Sequence, residues 1–110
     1  MNDRVLSFLG LCRRANKLVI GAEVTEESVT QGKSLLVLYA SDASQNSLKR
    51  VRRAAQEKGV PMLCVCRDKE SLSRTLGRLC AVLSVEDRGF AGKLCEMIDS
   101  EQRGEFDDKI

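Results

Sequence analysis

The chain has no histidine and no tryptophan, and aromatic residues make up only 4% of its 110 residues. Without histidine, it lacks the commonest general base and the commonest zinc ligand in proteins. The aromatic residues are Phe8, Tyr39, Phe90 and Phe106, too few for a surface that stacks successive nucleic-acid bases on rings. These absences argue against an enzyme and predict an aliphatic core.

Sequence motifs for catalysis are also missing. Neither G-x-G-x-x-G nor G-x-x-x-x-G-K-[ST], the loops that hold nucleotide phosphates, occurs. Cys66 beside Arg67 could form an activated thiolate, but Cys64 and Cys66 alternate with Val65 as strand residues do, and we favour that interpretation. The two cysteines have no second ligand pair at zinc spacing, and Glu86-Asp87 suits a helix cap. We predict no catalytic residue, no metal and no cofactor.

Five cysteines are present, an odd number without any C-x-x-C pair. No apolar signal segment opens the sequence, and no apolar run approaches the ~20 residues that span a bilayer. We interpret the thiols as reduced, largely buried, small apolar side chains. This pattern predicts a soluble cytoplasmic protein.

The formal net charge of +2 is unevenly distributed. Residues 99–110 carry a net charge of −3, which leaves +5 on residues 1–98. A moderately basic body is compatible with a polyanionic partner without establishing one. Residues 1–98 are predicted to form one domain, whereas the acidic segment 99–110 has little to bury and is predicted to be a disordered tail.

Apolar runs and helical patterns alternate along the chain. Asn2-Asp3 is predicted to cap a first helix that ends within residues 13–16. The other predicted helices cover 22–31, 45–58, 69–76 and 87–98, and the predicted strands cover 18–20, 35–40, 62–66 and 81–85. This alternation predicts an α/β protein, folded as a three-layer α/β/α sandwich.

Two stretches are candidates for a binding surface. In Lys17–Glu27, a short strand leads through a glycine to a helix N-terminus with free backbone N–H groups. Its three glutamates do not suit phosphate, but a carboxylate can accept hydrogen bonds from guanine N1–H and N2–H. Alternatively, they only complement the helix dipole. The second stretch, Lys49–Arg53, either faces phosphates or is a solvated helix face.

Four segments resemble one known family in order and spacing. They are LGLCRRANKLVIG (residues 9–21), GKSLLVLYASDAS (32–44), GVP (59–61) and LSVEDRGFAGKL (83–94). They resemble the kink-turn-binding ribosomal protein superfamily of L7Ae, L30e and S12e, especially its small bacterial members. The resemblance implies a mixed four-stranded sheet within the sandwich. It also implies binding to a kink-turn, a sharply bent RNA with tandem sheared G·A pairs and a flipped-out nucleotide.

The resemblance further implies which residues meet the RNA. The helix start after the first strand falls where the family contacts the G·A pairs. The turn after the second strand falls near the flipped base, and the loop 67–70 falls over the extruded nucleotide. The RNA-binding residues implied in this way are Gly21, Ala22, Glu23, Val24, Glu27, Asp42, Ser44, Arg67 and Lys69. Lys17 precedes this surface in the sequence and could meet phosphate.

Three of these positions depart from the better-known members, which carry Asn, Glu and Lys where this chain has Glu23, Val24 and Glu27. The reversed charge at Glu27 predicts weaker binding, a different RNA or a different partner. The first hypothesis is therefore a monomeric, ribosome- or translation-associated protein that binds kink-turn or related structured RNA, without a membrane or small-molecule partner. The alternative is a protein-interaction module of the same fold with weak or lost RNA binding.

Overall fold

The computed structural model describes residues 3–103, in which helices and strands alternate as the sequence predicts. Helices and strands take their bounds from apolar runs and from the polar residues and glycines that interrupt them. In chain order they are α1 (Arg4–Arg14), β1 (Leu18–Ile20), α2 (Ala22–Thr30), β2 (Leu36–Tyr39), α3 (Gln45–Lys58), β3 (Met62–Cys64), α4 (Lys69–Leu76), β4 (Val82–Val85) and α5 (Arg88–Gln102).

Side chains cap the N-termini of α1, α3, α4 and α5. In each case a carboxylate or hydroxyl accepts a hydrogen bond from the backbone N–H three residues later, at 2.8 to 3.2 Å. These caps satisfy N–H groups that have no partner inside the helix. The capping residues are Asp3, Ser44, Asp68 and Asp87.

The four strands form one mixed sheet in the order β1-β4-β2-β3. β4 pairs antiparallel with both β1 and β2, whereas β2 and β3 are parallel. The last strand in the sequence therefore lies between the first two. This arrangement confirms the predicted mixed four-stranded sheet.

Helices cover both faces of the sheet. Leu36 and Leu38 point from β2 into a core shared with α1, α4 and α5. Val37, between them, points to the other face and packs in a cluster that includes residues of α2 and α3. Alternation of side chains along a strand produces this division, and the α/β/α sandwich is confirmed.

A chain of buried hydroxyl groups joins α2 to β4. Ser84 is fully buried; its Oγ lies 3.0 Å from Ser28 Oγ and donates to Ser34 Oγ at 2.7 Å. Ser28 Oγ also donates to Glu86 Oε2 at 2.6 Å. Most buried polar groups in folded proteins are paired, and these bonds fix the position of α2 on the sheet.

The observed elements differ from the prediction at strand ends and at the last helix. β3 stops at Cys64 because Cys66 adopts a left-handed backbone with φ of 61°. α5 continues past Ile98 to Gln102, where Glu101 bonds to Arg67. The start of the predicted acidic tail is therefore helical, and its remainder, 104–110, lies outside the described residues.

Within residues 3–103, no helix combines the length and apolar character needed to cross a membrane. All five cysteines are free thiols; Cys12 and Cys80 are buried, as expected, but Cys66 is exposed. Burial raises the pKa of both Cys12 and Cys80 to about 11, so these two thiols are protonated at neutral pH. Protonated, buried thiols act as small apolar side chains rather than nucleophiles.

Candidate RNA-binding surface

The topology brings four chain reversals to one edge of the sheet. β1, β2 and β3 all end at the edge where antiparallel β4 begins. The turns after β1 and β2, the loop after β3 and the segment before β4 therefore meet there. We call this surface the turn edge; it comprises residues 21–24, 40–44, 65–69 and 77–81.

Hydrogen bonds tie these reversals to one another. Gly21 donates its N–H to Val82 O at 2.9 Å, and Ala40 donates to Ala81 O at 2.8 Å. The loop after β3 is held to the turn after β2, since Ser41 N–H donates to the carbonyl of Arg67 at 2.9 Å. Asp42 adds a side-chain bond, accepting from the backbone N–H of Lys69 at 2.8 Å. The turn edge is thus a cross-linked platform.

The N-terminus of α2 differs from those of the other four helices in residues 3–103 because no side chain caps it. Its N-cap is Gly21, with φ of 123° and ψ of 149°, a conformation that L-residues rarely adopt. The backbone N–H groups of the first turn point outward without a capping acceptor. Such an end can bind an acceptor group of a ligand.

This uncapped helix start opens onto a groove of about 530 Å³ between α2 and α3, which we call the α2–α3 groove. Gly21, Val24 and Asn46 are among the residues that line it. Arg50 forms an ion pair with Glu26 across the groove at 2.9 Å, so the carboxylate of Glu26 is already neutralised. Glu23 also lines the groove and is exposed, leaving a carboxylate that can accept hydrogen bonds.

The structure brings most of the residues singled out by the resemblance together at the turn edge, but not all. Gly21 to Val24 line the α2–α3 groove, and Glu27 lies one turn further along α2, exposed to solvent. Lys17 precedes β1, and its carbonyl accepts from Glu86 N–H at the opposite edge of the sheet. At about 3.3 Å per strand residue, Lys17 is about 13 Å from Gly21.

Two turn residues have structural roles of their own. Besides binding Lys69 N–H, Asp42 lies in the exposed turn after β2. Ser44 caps α3 by accepting from Ser47 N–H at 3.2 Å. These bonds fix the backbone between β2 and α3. Asp42 uses Oδ1 for its bond to Lys69, and within residues 3–103 no hydrogen bond is described for Asp42 Oδ2.

Arg67 is engaged entirely within the protein. Its guanidinium donates to Asp3 through Nε and one terminal nitrogen, to Glu101 through both terminal nitrogens, and to the carbonyl of Val65. All five N–H donors of the side chain are used in this way. While these bonds persist, Arg67 has no donor for a phosphate, and its contribution to the turn edge is to hold the loop after β3 in place.

Leu79 is a feature that sequence reasoning missed. It lies in the segment before β4 with 82% of its surface exposed, the largest exposure among the bulky apolar side chains described. It shares a shallow groove of about 480 Å³ with Lys69 and Arg78. Leu79 is a single apolar residue outside any periodic pattern, so the sequence does not identify it as part of a binding surface. Only the sheet topology shows that it lies at the turn edge.

Within the described residues, no three cysteine, aspartate or glutamate side chains come together in an arrangement that could hold a metal ion. Cys66 is exposed beside Cys64, with its N–H donating to Cys64 Sγ at 3.3 Å. The acidic pair has separate roles: Asp87 caps α5, and Glu86 accepts from Ser28. The capping interpretation of the acidic pair is thus confirmed for Asp87.

Comparisons with known proteins agree with this architecture. The sequence profile of the ribosomal protein L7Ae/L30e/S12e/Gadd45 family matches residues 3–95. A protein of Enterococcus faecium named RNA-binding protein YlxQ is 31% identical over 88% of this chain and 93% of its own length. Its namesake in Bacillus subtilis is 35% identical over 84% of this chain and 92% of its own length.

Solved structures show the same similarity. A Bacillus halodurans protein of 31% identity superposes with a TM-score of 0.83, covering 89% of this chain and 99% of that one. The 15.5kD RNA binding protein of Giardia lamblia, at 23% identity, shares the fold with a TM-score of 0.68 over 92% of this chain and 89% of its own. The resemblance seen in the sequence is therefore confirmed: this chain belongs to the ribosomal protein L7Ae/L30e/S12e/Gadd45 family.

Proposed function

We propose that this protein binds a kink-turn or related structured RNA through the turn edge, as a cytoplasmic, translation-associated monomer without catalytic activity. Relatives that match over most of their length are named RNA-binding proteins, which supports the RNA. The kink-turn is supported by the resemblance of residues 9–21 and 32–44 to members that bind it.

The uncapped start of α2 is the observation that carries the proposal. Its free N–H groups can donate to acceptors on base edges, while the exposed carboxylate of Glu23 can accept from guanine N1–H and N2–H. Hydrogen-bond donors and acceptors side by side at one groove suit bases splayed out of a bent RNA better than they suit phosphates, which only accept. Specificity would then come from base edges and shape rather than from charge alone.

Apolar side chains at the turn edge complete the proposed surface. Val24 and Leu79 are 41% and 82% exposed and can contact the face of an extruded base. Asp42, Ser44 and Lys69 would form the surface around that base, whereas Arg67 would act by positioning the loop. Lys17, at the opposite edge, would meet phosphate only on an RNA that extends past β1.

A titration of the protein against a kink-turn duplex and a straight duplex of equal length tests the proposal. At about 0.15 M salt we expect the kink-turn to bind at least tenfold more tightly, because phosphate contacts alone are indifferent to shape. Leu79→Ser should weaken kink-turn binding without lowering the melting temperature, since the side chain is exposed. Equal affinity for the two duplexes, or no binding to either, would contradict the proposal.

The exposed acidic residues of α2 favour the alternative function, a protein-interaction module. A substitution of Glu27 distinguishes the two functions. If the native protein binds the kink-turn, Glu27→Lys should strengthen binding by about tenfold or less, the effect of roughly one added phosphate contact. Glu96→Lys, an equal charge change at an exposed site on α5, is the control. Native protein that fails to bind, combined with a Glu27→Lys variant that does bind, would support the alternative.

A further inference from the structure

The outer face of α3 forms a second groove, which the turn edge does not include. α3 buries Leu48, Val51, Ala54 and Ala55 against the sheet. On its opposite side lies a groove of about 490 Å³, which we call the α3 groove. Cations and amides line it: Lys49, Arg52, Arg53, Gln45, Asn46 and Gln56.

The basic segment of α3 divides into two parts. Arg50 turns toward α2 and pairs with Glu26. None of Lys49, Arg52 and Arg53 forms an ion pair with a carboxylate within residues 3–103, although Arg52 lies over the Tyr39 ring at 5.9 Å. Three cations of the α3 groove are thus free to meet an anion.

The charge pattern of α3 is unfavourable without a partner. Lys49 and Arg53 are four residues apart, so two like charges face each other on adjacent turns and destabilise the helix. At the same spacing, α4 pairs Glu70 with Arg74, which places opposite charges together. A polyanion in the α3 groove would remove the repulsion between Lys49 and Arg53.

The α3 groove continues the turn edge. Asn46 lines both the α2–α3 groove and the α3 groove, and α3 begins directly after the turn between β2 and α3 that carries Ser44. An RNA seated at the turn edge therefore has a path along α3. Amide side chains can bond to phosphate oxygens and to 2′-hydroxyls, the groups that a double-stranded RNA presents.

We infer that the α3 groove holds the phosphate backbone of one double-stranded arm of the RNA bound at the turn edge, through Lys49, Arg52 and Arg53. The inference rests on the proposed function and extends the contact from the bend of the RNA to one of its double-stranded arms. These contacts raise affinity for any sequence in that arm and leave the preference for the bend unchanged, because phosphates position an RNA without identifying it.

The salt dependence of binding tests this inference. The variant K49Q/R52Q/R53Q should bind the kink-turn with a slope of log K against log salt that is less steep by about 2 to 2.7, for three lost phosphate contacts. Between 50 and 200 mM salt, the native protein should thus lose roughly 20- to 40-fold more affinity than the variant. The difference should disappear when the arm along α3 is shortened.

A matched control removes three cations elsewhere. Lys33, Arg88 and Lys93 are exposed and lie away from the turn edge, on the loop before β2 and on α5. K33Q/R88Q/K93Q changes the net charge equally and should leave the slope close to that of the native protein. A slope unchanged in K49Q/R52Q/R53Q, or changed as much in the control, overturns the inference even if the kink-turn preference stands.

Failure of the proposed function has a different signature. If the native protein binds bent and straight duplexes equally, the kink-turn proposal fails, and the two slopes still report on the α3 groove. If K49Q/R52Q/R53Q flattens the slope while the bent-to-straight ratio is kept, both the inference and the proposed function are supported.

Discussion

Gly21→Ala should lower the free energy of unfolding by about 1–3 kcal/mol, because Gly21 has φ of 123° and ψ of 149°, a region almost restricted to glycine. For a domain of this size, such a loss lowers the melting temperature by about 4–8 °C per kcal/mol. The added Cβ would also lie 3.3 Å from Val24 Cγ2, which must give way. Denaturant titration measures the loss directly.

RNA binding should be lost with the same substitution. A change in the backbone of Gly21 alters its bond to Val82 O and turns the free N–H groups of α2. Kink-turn binding is measured at a temperature at which the variant remains folded, so that the two effects are separated. A variant that keeps native affinity would show that the α2 start is not part of the interface.

Gly92→Ala is the matched control for Gly21→Ala. Gly92 lies exposed within α5, and a Cβ there would meet nothing within 4 Å. Alanine in a helix interior is favoured over glycine by about 0.5–1 kcal/mol, so this variant should gain stability slightly and bind RNA normally. Equal losses in the two variants would contradict the conformational explanation.

Arg67→Ala should destabilise the protein by about 2–3 kcal/mol, less than the full cost of breaking a buried ion pair, because Asp3 and Glu101 are partly exposed. The substitution leaves two carboxylates near each other without their shared cation. It also removes the bonds by which the loop after β3 holds Asp3 at the start of α1 and Glu101 at the end of α5. Chemical denaturation at neutral pH measures this loss.

The pH dependence of stability identifies the origin of the Arg67 effect. Burial raises the pKa of Asp3, but hydrogen bonds from Arg67 and from Leu6 N–H outweigh it and hold the pKa below its usual 3.8. The folded state therefore binds fewer protons than the unfolded state. The resulting stabilisation is present above pH 3.8 and is lost as the pH falls through the pKa that Asp3 has in the folded protein. The difference between native protein and Arg67→Ala should shrink in acid.

An exposed arginine provides the control for Arg67→Ala. Arg74 pairs with Glu70 on α4, with 73% and 77% of the two side chains exposed. Exposed pairs contribute about 0.2–1 kcal/mol, so Arg74→Ala should change stability far less than Arg67→Ala. Equal effects of the two substitutions, or a native-like Arg67→Ala, would refute the structural role given to Arg67.

Local sequence signals predicted the helices well because helix ends depend on nearby residues. α3 and α4 have the predicted bounds, set by Ser44 and Asp68 at one end and by Gly59 and Gly77 at the other. The end of α5 was missed because Glu101 is held by Arg67, 34 residues away in the sequence. No local pattern reports such a contact.

The candidate site was predictable where residues follow one another and unpredictable where the fold brings distant ones together. The sequence alone identifies Gly21 as a candidate because it directly precedes a glutamate-rich helix, and in the structure Gly21 lines the α2–α3 groove. Lys17 was grouped with Gly21 by proximity in sequence, yet the three residues of β1 carry them to opposite edges. Leu79 joins the turn edge only because β4 inserts between β1 and β2.

The position of β4 has a consequence for synthesis of the protein. β1 pairs only with β4 in the described sheet, and the N–H groups of Gly21 and Ala40 donate to Val82 and Ala81. A nascent chain that has not yet supplied residues 81–85 can complete neither the sheet nor the turn edge. Pairing across such sequence distances is a late event in folding. If the turn edge is the RNA-binding surface, capture of RNA waits until nearly the whole domain has been translated.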